Sequence, residues 1–125
     1  MDKTVCLDLD GVLAYYDKWR GNDHIGYPNP EGVKLANLLK VIGVKIIVDT
    51  CRLNHQWPDC DYIKVEYDIR VWLEKFKIPY DELWTCGGKP FAHAYVDDRG
   101  VHFPSNKGNA DDAFHDILEI LTEVT

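Results

Sequence analysis

The sequence predicts an α/β domain in which helices cover both faces of a central, mostly parallel sheet, giving three layers. Three observations lead to this class. Short runs rich in β-branched residues alternate with amphipathic segments of helical period. The 125 residues are enough for one hydrophobic core but too few for two. No repeat, low-complexity tract or linker divides the chain, so residues 1–125 are expected to form a single domain.

Five runs of residues are strand candidates. Residues 4–9 and 44–49 are short, apolar and rich in β-branched side chains, which is typical of strands buried in a parallel sheet. Weaker candidates are residues 82–86 and 94–98, and residues 101–103 form a candidate edge strand.

Three segments have the period of amphipathic helices. Asn29 is expected to cap the first helix, Pro30 to open it and Gly43 to end it. The second helix is expected over about residues 61–77, with its apolar residues on one side. The third begins near Ala110 and repeats apolar residues at i, i+3, i+4, i+7, i+8 and i+11. The alternation of strands and helices indicates a Rossmann-like arrangement.

The composition limits the classes of partner. Lysine and arginine number 14 against 21 acidic residues, so the net charge is -7 and the chain lends no general support to nucleic-acid binding without a local basic patch. No apolar run approaches the roughly 20 residues of a membrane span, and the first residues lack the core of a secretion signal. We therefore expect a cytoplasmic protein with no membrane partner. The four cysteines form no C-x-x-C pair and are expected to be free thiols.

Polar residues follow each strand candidate, and in open parallel sheets ligands bind at the carboxyl ends of the strands. We therefore expect one edge of the sheet to collect the following residues: Asp8, Asp10, Asp49, Thr50, Arg52, Gly87, Gly88, Lys89, Asp97 and Asp98.

This set of side chains restricts the chemistry. Crowded carboxylates repel one another unless a cation lies among them, which predicts a hard divalent ion with oxygen ligands, most plausibly Mg²⁺. A lysine supplies a point charge and a threonine a hydroxyl donor, both suited to a phosphoryl group. The predicted substrate is a phosphate ester or anhydride.

The motifs "DLDGVL", "VDTCR", "GGKP" and "AYVDD" resemble, in this order, the four signature motifs of the haloacid dehalogenase (HAD) superfamily of phosphohydrolases. The resemblance covers nearly the whole chain. It implies a HAD-like fold and a phosphatase in which Asp8 is the nucleophile that forms a phosphoaspartate, and Asp10 is the proton shuttle. Thr50 and Lys89 would then hold the phosphoryl oxygens, and Gly11 would allow the tight turn after the first motif.

The resemblance also implies a metal site and an open active site. Mg²⁺ would bind Asp8, the backbone carbonyl of Asp10 and one of the acids Asp97 and Asp98; we favour Asp98, with Asp97 orienting it. The intervals between the motifs are too short for the cap domain of many HAD proteins, so the chain resembles the capless members. Only residues 11–29, which we call the flap, could cover the site, unless a neighbouring subunit of a homo-oligomer does so.

The substrate is the least determined feature. The residues "TCR" and "DDRGVHF" resemble small capless hydrolases, some of them related to the phosphatase half of polynucleotide kinases. Cys51, Arg52 and Gly11 are candidate substrate contacts, as are Trp19 and Arg20 in the flap, which could meet a nucleotide base and its phosphate. Packing of the flap aromatics against the sheet explains them equally well. A phosphorylated small molecule and a nucleic-acid end both stay open as substrates.

A non-catalytic, phosphate-responsive domain is the alternative class. Response-regulator receivers are parallel α/β domains of similar size with acids, a threonine and a lysine. Their acids are adjacent after the first strand, however, and their phosphorylated aspartate follows the third. This chain has D-x-D after the first strand candidate and no acid at the end of "ELWTC".

Overall fold

The computed structural model describes residues 3–53, 60–86, 89–97 and 100–123. Within these ranges the chain forms five strands, three helices and one 3₁₀ turn at Cys51–Leu53. The strands are β1 (Thr4–Asp8), β2 (Lys45–Asp49), β3 (Glu82–Leu83), β4 (Ala94–Asp97) and β5 (Val101–His102). The helices are α1 (Pro30–Val41), α2 (Tyr62–Lys75) and α3 (Ala110–Glu123). None of the described helices is both long and apolar enough to cross a membrane.

The strands form one parallel sheet in the order β3-β2-β1-β4-β5, which confirms the predicted α/β, Rossmann-like class. β1 lies at the centre, between β2 and β4. In the register, Asp8 pairs with Asp49 on β2, and Leu7 pairs with Val96 on β4. The carboxyl ends of these three neighbouring strands therefore lie side by side.

One face of the sheet carries the hydrophobic core. Because strand residues alternate between faces, Val5 and Leu7 of β1 point to the same side as Ile46 and Val48 of β2, and all four are buried. Buried residues of all three helices join these strand residues in a single cluster. On the helices, that cluster includes Leu35, Leu39, Val65, Ile69, Leu73, Ala113 and Ile117.

The second face is polar. Asp8 and Asp49 lie on it with Cys6 and Ile47, which are buried but lie outside the core cluster. Helices were predicted on this face as well. In the described residues, the β3–β4 connection lies here instead: the Tyr95 hydroxyl donates to the Pro90 carbonyl at 2.6 Å. This connection, residues 84–93, is too short and too rich in glycine and proline to form a crossover helix.

The element boundaries follow local signals closely at the helices and less closely at the strands. The Asn29 side chain accepts a hydrogen bond from the Glu31 N–H and caps α1, and Gly43 adopts a left-handed φ of 80° just after that helix. The predicted strand over residues 82–86 is only two residues long. The predicted strand over 94–98 ends at Asp97, and Asp98 lies outside the described residues.

The flap contains no helix or strand and is held by backbone contacts. Ala14 forms isolated bridges with Asp10 and with Pro28, which draw the two ends of the flap together. α1 lies directly against the flap. The two backbones are so close that a Cβ on Gly32 would overlap the carbonyl oxygen of Val12. The flap is thereby fixed beside the carboxyl end of β1.

Candidate active site

Three carboxylates end three adjacent strands. Asp8, Asp49 and Asp97 are the last residues of β1, β2 and β4, and the register places them level with one another on the polar face. A cavity of about 320 Å³ opens at this point. Its lining also includes Cys6, Thr50, Cys51, Trp84, Cys86, Lys89 and Tyr95.

The electrostatics of this edge are dominated by negative charge. Burial raises the pKa of Asp8 to about 7, and the charges of Asp10, Asp49 and Asp97 add to the rise, whereas the Leu9 N–H opposes it. Burial also raises the pKa of Asp49, against the opposing charge of Lys89. The edge therefore carries more negative charge than the described cations offset.

Lys89 is brought to the same cavity. Its Nζ lies 3.4 Å from Oδ2 of Asp97 and 5.1 Å from the centre of the Tyr95 ring. The side chain is 61% exposed, so the ammonium remains accessible to a ligand. The predicted convergence of Lys89 with Asp8 and Thr50 is thus present in the geometry.

Thr50 lies where β2 gives way to the 3₁₀ turn. Its side chain is buried, and its Oγ1 accepts a hydrogen bond of 3.2 Å from the Arg52 N–H. Cys51 follows in the same turn and is exposed. Partial desolvation of the thiol and the charges of Asp8 and Asp10 raise the pKa of Cys51.

The guanidinium group of Arg52 contacts the protein through Nε, Nη1 and Nη2. Its side chain is only 3% exposed, and its Nε and Nη2 donate to the two oxygens of Asp10 at 2.8 and 3.0 Å. Nη1 donates to the Asn22 carbonyl at 3.4 Å, and Cζ lies 5.0 Å from the centre of the Trp19 ring. Arg52 thus joins Asp10 to the flap, and its contact with substrate stays a prediction.

Gly11 occupies a position that only glycine fits. Its φ is 92°, and a Cβ there would lie 2.6 Å from Oγ of Ser105. Beside it is a second cavity of about 290 Å³, which shares Asp8 and Cys51 with the first. Trp19 lines this second cavity and lies over Arg52.

Arg20 is not brought to either cavity. Its Nη2 lies 2.6 Å from Oδ2 of Asp17, and it lines a separate cavity bounded by the flap and α2. Asp98 lies outside the described residues, as do Gly87 and Gly88.

Two features of the site were not assigned a role from the sequence. Asp49 faces the same cavity as Asp8, a placement that the two-residue alternation along β2 could have indicated. Ser105 meets Gly11 only through the folding together of residues 94 positions apart, for which no local signal exists.

The donor set fits a hard cation in its chemistry. Carboxylate oxygens in excess negative charge are the ligands that Mg²⁺ prefers, and Mg²⁺ commonly completes its shell with water and phosphate. In the described part of the chain, the one group of three acidic or imidazole side chains with ligand atoms within 4.8 Å of each other is His115, Asp116 and Glu119. That group is exposed on α3 and belongs to the helix surface.

The comparisons with known proteins concern the fold. No protein-family model and no curated protein matches the sequence. A crystal structure of a protein from Vibrio cholerae is similar over 98% of this chain and 99% of its own, at 22% identity and a TM-score of 0.55. A chain of the Pnkp1/Rnl/Hen1 complex is similar over 73% of this chain and 30% of its own, at 22% identity and a TM-score of 0.51. A structure of the Pnkp1/Rnl/Hen1 RNA repair complex is similar over 72% and 27%, at 21% identity and a TM-score of 0.48.

Similarities at this level of identity establish the α/β fold and leave activity open. This chain spans less than a third of the chains that it matches in the Pnkp1/Rnl/Hen1 structures.

Proposed function

We propose that this protein is a Mg²⁺-dependent phosphomonoesterase that acts through a phosphoaspartate on Asp8. The observation that carries the proposal is that Asp8, Thr50 and Lys89 line one open cavity at the carboxyl end of the sheet. The order of the four motifs, which resembles the HAD superfamily, supports the same reaction.

The first step is assigned to Asp8 and Asp10. A carboxylate oxygen of Asp8 attacks phosphorus, the bond from phosphorus to the ester oxygen breaks, and Asp10 gives that oxygen a proton. In the second step Asp10 takes a proton from water, whose oxygen attacks phosphorus. Inorganic phosphate leaves, and the Asp8 carboxylate is restored.

The contacts of Asp10 bear on its two roles. Both of its oxygens accept hydrogen bonds from Arg52, which orients the carboxyl group for both steps.

Thr50 and Lys89 are assigned to the phosphoryl oxygens. The Thr50 hydroxyl can donate one hydrogen bond, and the exposed ammonium of Lys89 offsets charge as it develops on the transferring group. Binding phosphate would draw Lys89 from Asp97, its present partner at 3.4 Å.

The cation would be held by Asp8, by the backbone carbonyl of Asp10 and by Asp97 or Asp98. It would offset the burial and the neighbouring negative charges that raise the pKa of Asp8, and so favour the nucleophilic carboxylate. Within this proposal Asp98 is favoured as the ligand, because Asp97 already accepts hydrogen bonds from Lys89 and from the Gly100 N–H.

A nucleic-acid end is the second candidate substrate beside a phosphorylated small molecule. The shared fold with a chain of the Pnkp1/Rnl/Hen1 complex is compatible with such a substrate. No cap domain interrupts the motifs, so a large substrate would have access to the cavity.

The test measures hydrolysis of p-nitrophenyl phosphate with and without Mg²⁺. We expect Mg²⁺-dependent turnover by the wild type, loss of at least a thousandfold in Asp8→Asn, and measurable turnover in the matched variant Asp49→Asn. Acid-quenched enzyme should carry phosphate on Asp8. Equal turnover by wild type and Asp8→Asn would refute the assignment. Phosphate and Mg²⁺ binding with no turnover would favour the non-catalytic alternative.

A further inference from the structure

A third cavity, of about 620 Å³, lies between the flap and α2, and we call it the flap groove. Four of the aromatic residues in its lining are Tyr15, Tyr16, Tyr27 and Phe76, and two of its cations are Arg20 and Lys75. None of these residues is needed for the reaction at Asp8. The groove therefore calls for an explanation of its own.

Packing accounts for Phe76, which lies against the core, but not for Tyr15 and Tyr27. Trp72 at the base of the groove is 8% exposed, and its Nε1 donates to the Gly26 carbonyl at 3.1 Å, which fixes the flap to α2. Tyr27, by contrast, is 82% exposed and Tyr15 is 44% exposed. Rings held open to solvent beside a fixed wall provide faces on which a planar group can stack.

The charge of the groove is opposite to that of the chain. Arg20 and Lys75 line it with one acid, Asp17, whereas the whole chain has a net charge of -7. Arg20 donates to both oxygens of Asp17, at 3.2 and 2.6 Å, and the pair is exposed to solvent. A bound anion would therefore meet Arg20 beside this partner, and Lys75 without an acid of the described groove lining against it. Aromatic faces interleaved with cations are the features that bind single-stranded nucleic acid.

The groove continues into the candidate active site. Tyr16 lines both the flap groove and the cavity that contains Asp8 and Asp10. Asn106 holds Tyr16 in place: its Oδ1 accepts from the Tyr16 N–H at 2.7 Å, and its Nδ2 donates to the Tyr16 carbonyl. Trp19, on the active-site side, is 53% exposed. A bound chain could therefore pass over Tyr16 from the groove to Asp8.

We propose that the flap groove binds the nucleotides next to a terminal phosphate, so that the preferred substrate is a single-stranded polynucleotide whose phosphorylated end reaches Asp8. Bases stack on Tyr15 and Tyr27, and backbone phosphates meet Lys75 and Arg20. This assignment rests on the proposed phosphatase activity.

The first test compares substrates of increasing length: p-nitrophenyl phosphate, mononucleotides, and single-stranded 10-mers of DNA and RNA phosphorylated at the 3′ or 5′ end. We expect kcat/KM for at least one 10-mer to exceed that of the mononucleotide with the same end by tenfold or more. A gain at either end, in DNA or RNA, supports the groove and identifies its polarity. Equal kcat/KM for 10-mers and mononucleotides would overturn the inference while leaving the phosphatase intact.

The second test uses variants. Tyr27→Ala and Lys75→Gln should each reduce kcat/KM for the 10-mer about tenfold more than for p-nitrophenyl phosphate, as expected for one lost stack or phosphate contact. Tyr67→Ala, an exposed tyrosine on α2 outside the groove, and Lys34→Gln on α1 are the matched controls and should reduce neither. Equal losses on both substrates, or no loss in either groove variant, would contradict the proposal.

The third test separates binding from turnover. Fluorescence anisotropy of a labelled, unphosphorylated 10-mer should show binding to Asp8→Asn protein that weakens as NaCl rises from 50 to 200 mM. Tyr27→Ala should weaken that binding, and Tyr67→Ala should not. If p-nitrophenyl phosphate is not hydrolysed, the proposed function fails. If the 10-mer does not bind, the groove assignment fails by itself.

Discussion

Arg52, a predicted substrate contact, also organises the protein around it. Its fork of donors meets both oxygens of Asp10, and its remaining face lies against Trp19. A planar, bidentate arrangement of this kind cannot be reproduced by lysine, which presents a single point charge. Arg52 is therefore a positioning residue for Asp10 in the proposed mechanism.

We predict that Arg52→Lys lowers kcat for p-nitrophenyl phosphate by about ten- to a hundredfold, because a small misplacement of a catalytic group has costs of that size. KM should change less than kcat, since Nε, Nη1 and Nη2 of Arg52 each already donate to the protein. Arg70→Lys, at an exposed pair on α2, is the matched control and should leave both constants unchanged. Full turnover by Arg52→Lys would show that the bidentate contact with Asp10 is not required for catalysis.

Asp8 should make stability depend on pH. Its folded-state pKa of about 7 lies above the ordinary value of 3.8, so charging it costs the folded state more as pH rises from about 4 to 7. We predict that, in EDTA, Asp8→Asn is more stable than wild type at pH 8.5 by on the order of 2 kcal/mol, and that its advantage shrinks by pH 5. Urea unfolding at the two pH values measures this. If Asp8→Asn is more stable than wild type by the same amount at both pH values, the raised pKa of Asp8 is contradicted.

At the scale of elements, the contact between α1 and the flap depends on a glycine, which has no side chain to hold the two backbones apart. Gly32 lies in the first turn of α1, where a Cβ would overlap the backbone of Val12 and approach Leu13. Glycine in a helix lowers stability by roughly 0.5–1 kcal/mol relative to alanine, so its presence here reflects the close approach of two backbones. That approach fixes the flap next to Asp10 and Gly11.

We predict that Gly32→Ala lowers the free energy of unfolding by about 1–3 kcal/mol, as overpacking does, despite the better helix propensity of alanine. It should also reduce turnover, because the flap must move. Gly43→Asn is the comparison variant: its site is open and asparagine tolerates a left-handed φ better than most residues, so its loss of stability should be smaller than that of Gly32→Ala. Urea unfolding and p-nitrophenyl phosphate turnover measure both effects, and a stabilised Gly32→Ala would refute the close contact.

For the molecule as a whole, one core on one face of the sheet supports all three helices. Ile69 of α2 and Ile117 of α3 belong to the same buried cluster as the central strand. The opposite face is left for the polar site, where Asp8, Asp49 and Asp97 lie. Fold stability and chemistry are therefore separated by the two faces of one sheet.

A single core predicts a single unfolding transition. Ile69→Ala and Ile117→Ala should each lower the free energy of unfolding by about 2–5 kcal/mol, with far-UV circular dichroism and tryptophan fluorescence changing together. Ile63→Ala, at an exposed position on α2, should change it by less than about 0.5 kcal/mol. Two separate transitions in either core variant would mean that the helices do not share one cooperative core.

Local patterns in the sequence determined the alternation of strands and helices, the capped start of α1 and the carboxylates at the ends of β1, β2 and β4. Such features depend on periodicity and on residues within a few positions, so they can be read along the chain. The tight turn at Gly11 belongs with them, because the glycine directly follows the D-x-D pair.

Only the tertiary structure decided the partner of Arg52, the loop on the second face of the sheet and the flap groove. Arg52 and Asp10 are separated by 42 positions, and Tyr16 and Asn106 by 90. No local pattern records such contacts, because they arise when the burial of the core brings distant segments together and leaves their polar groups to find partners.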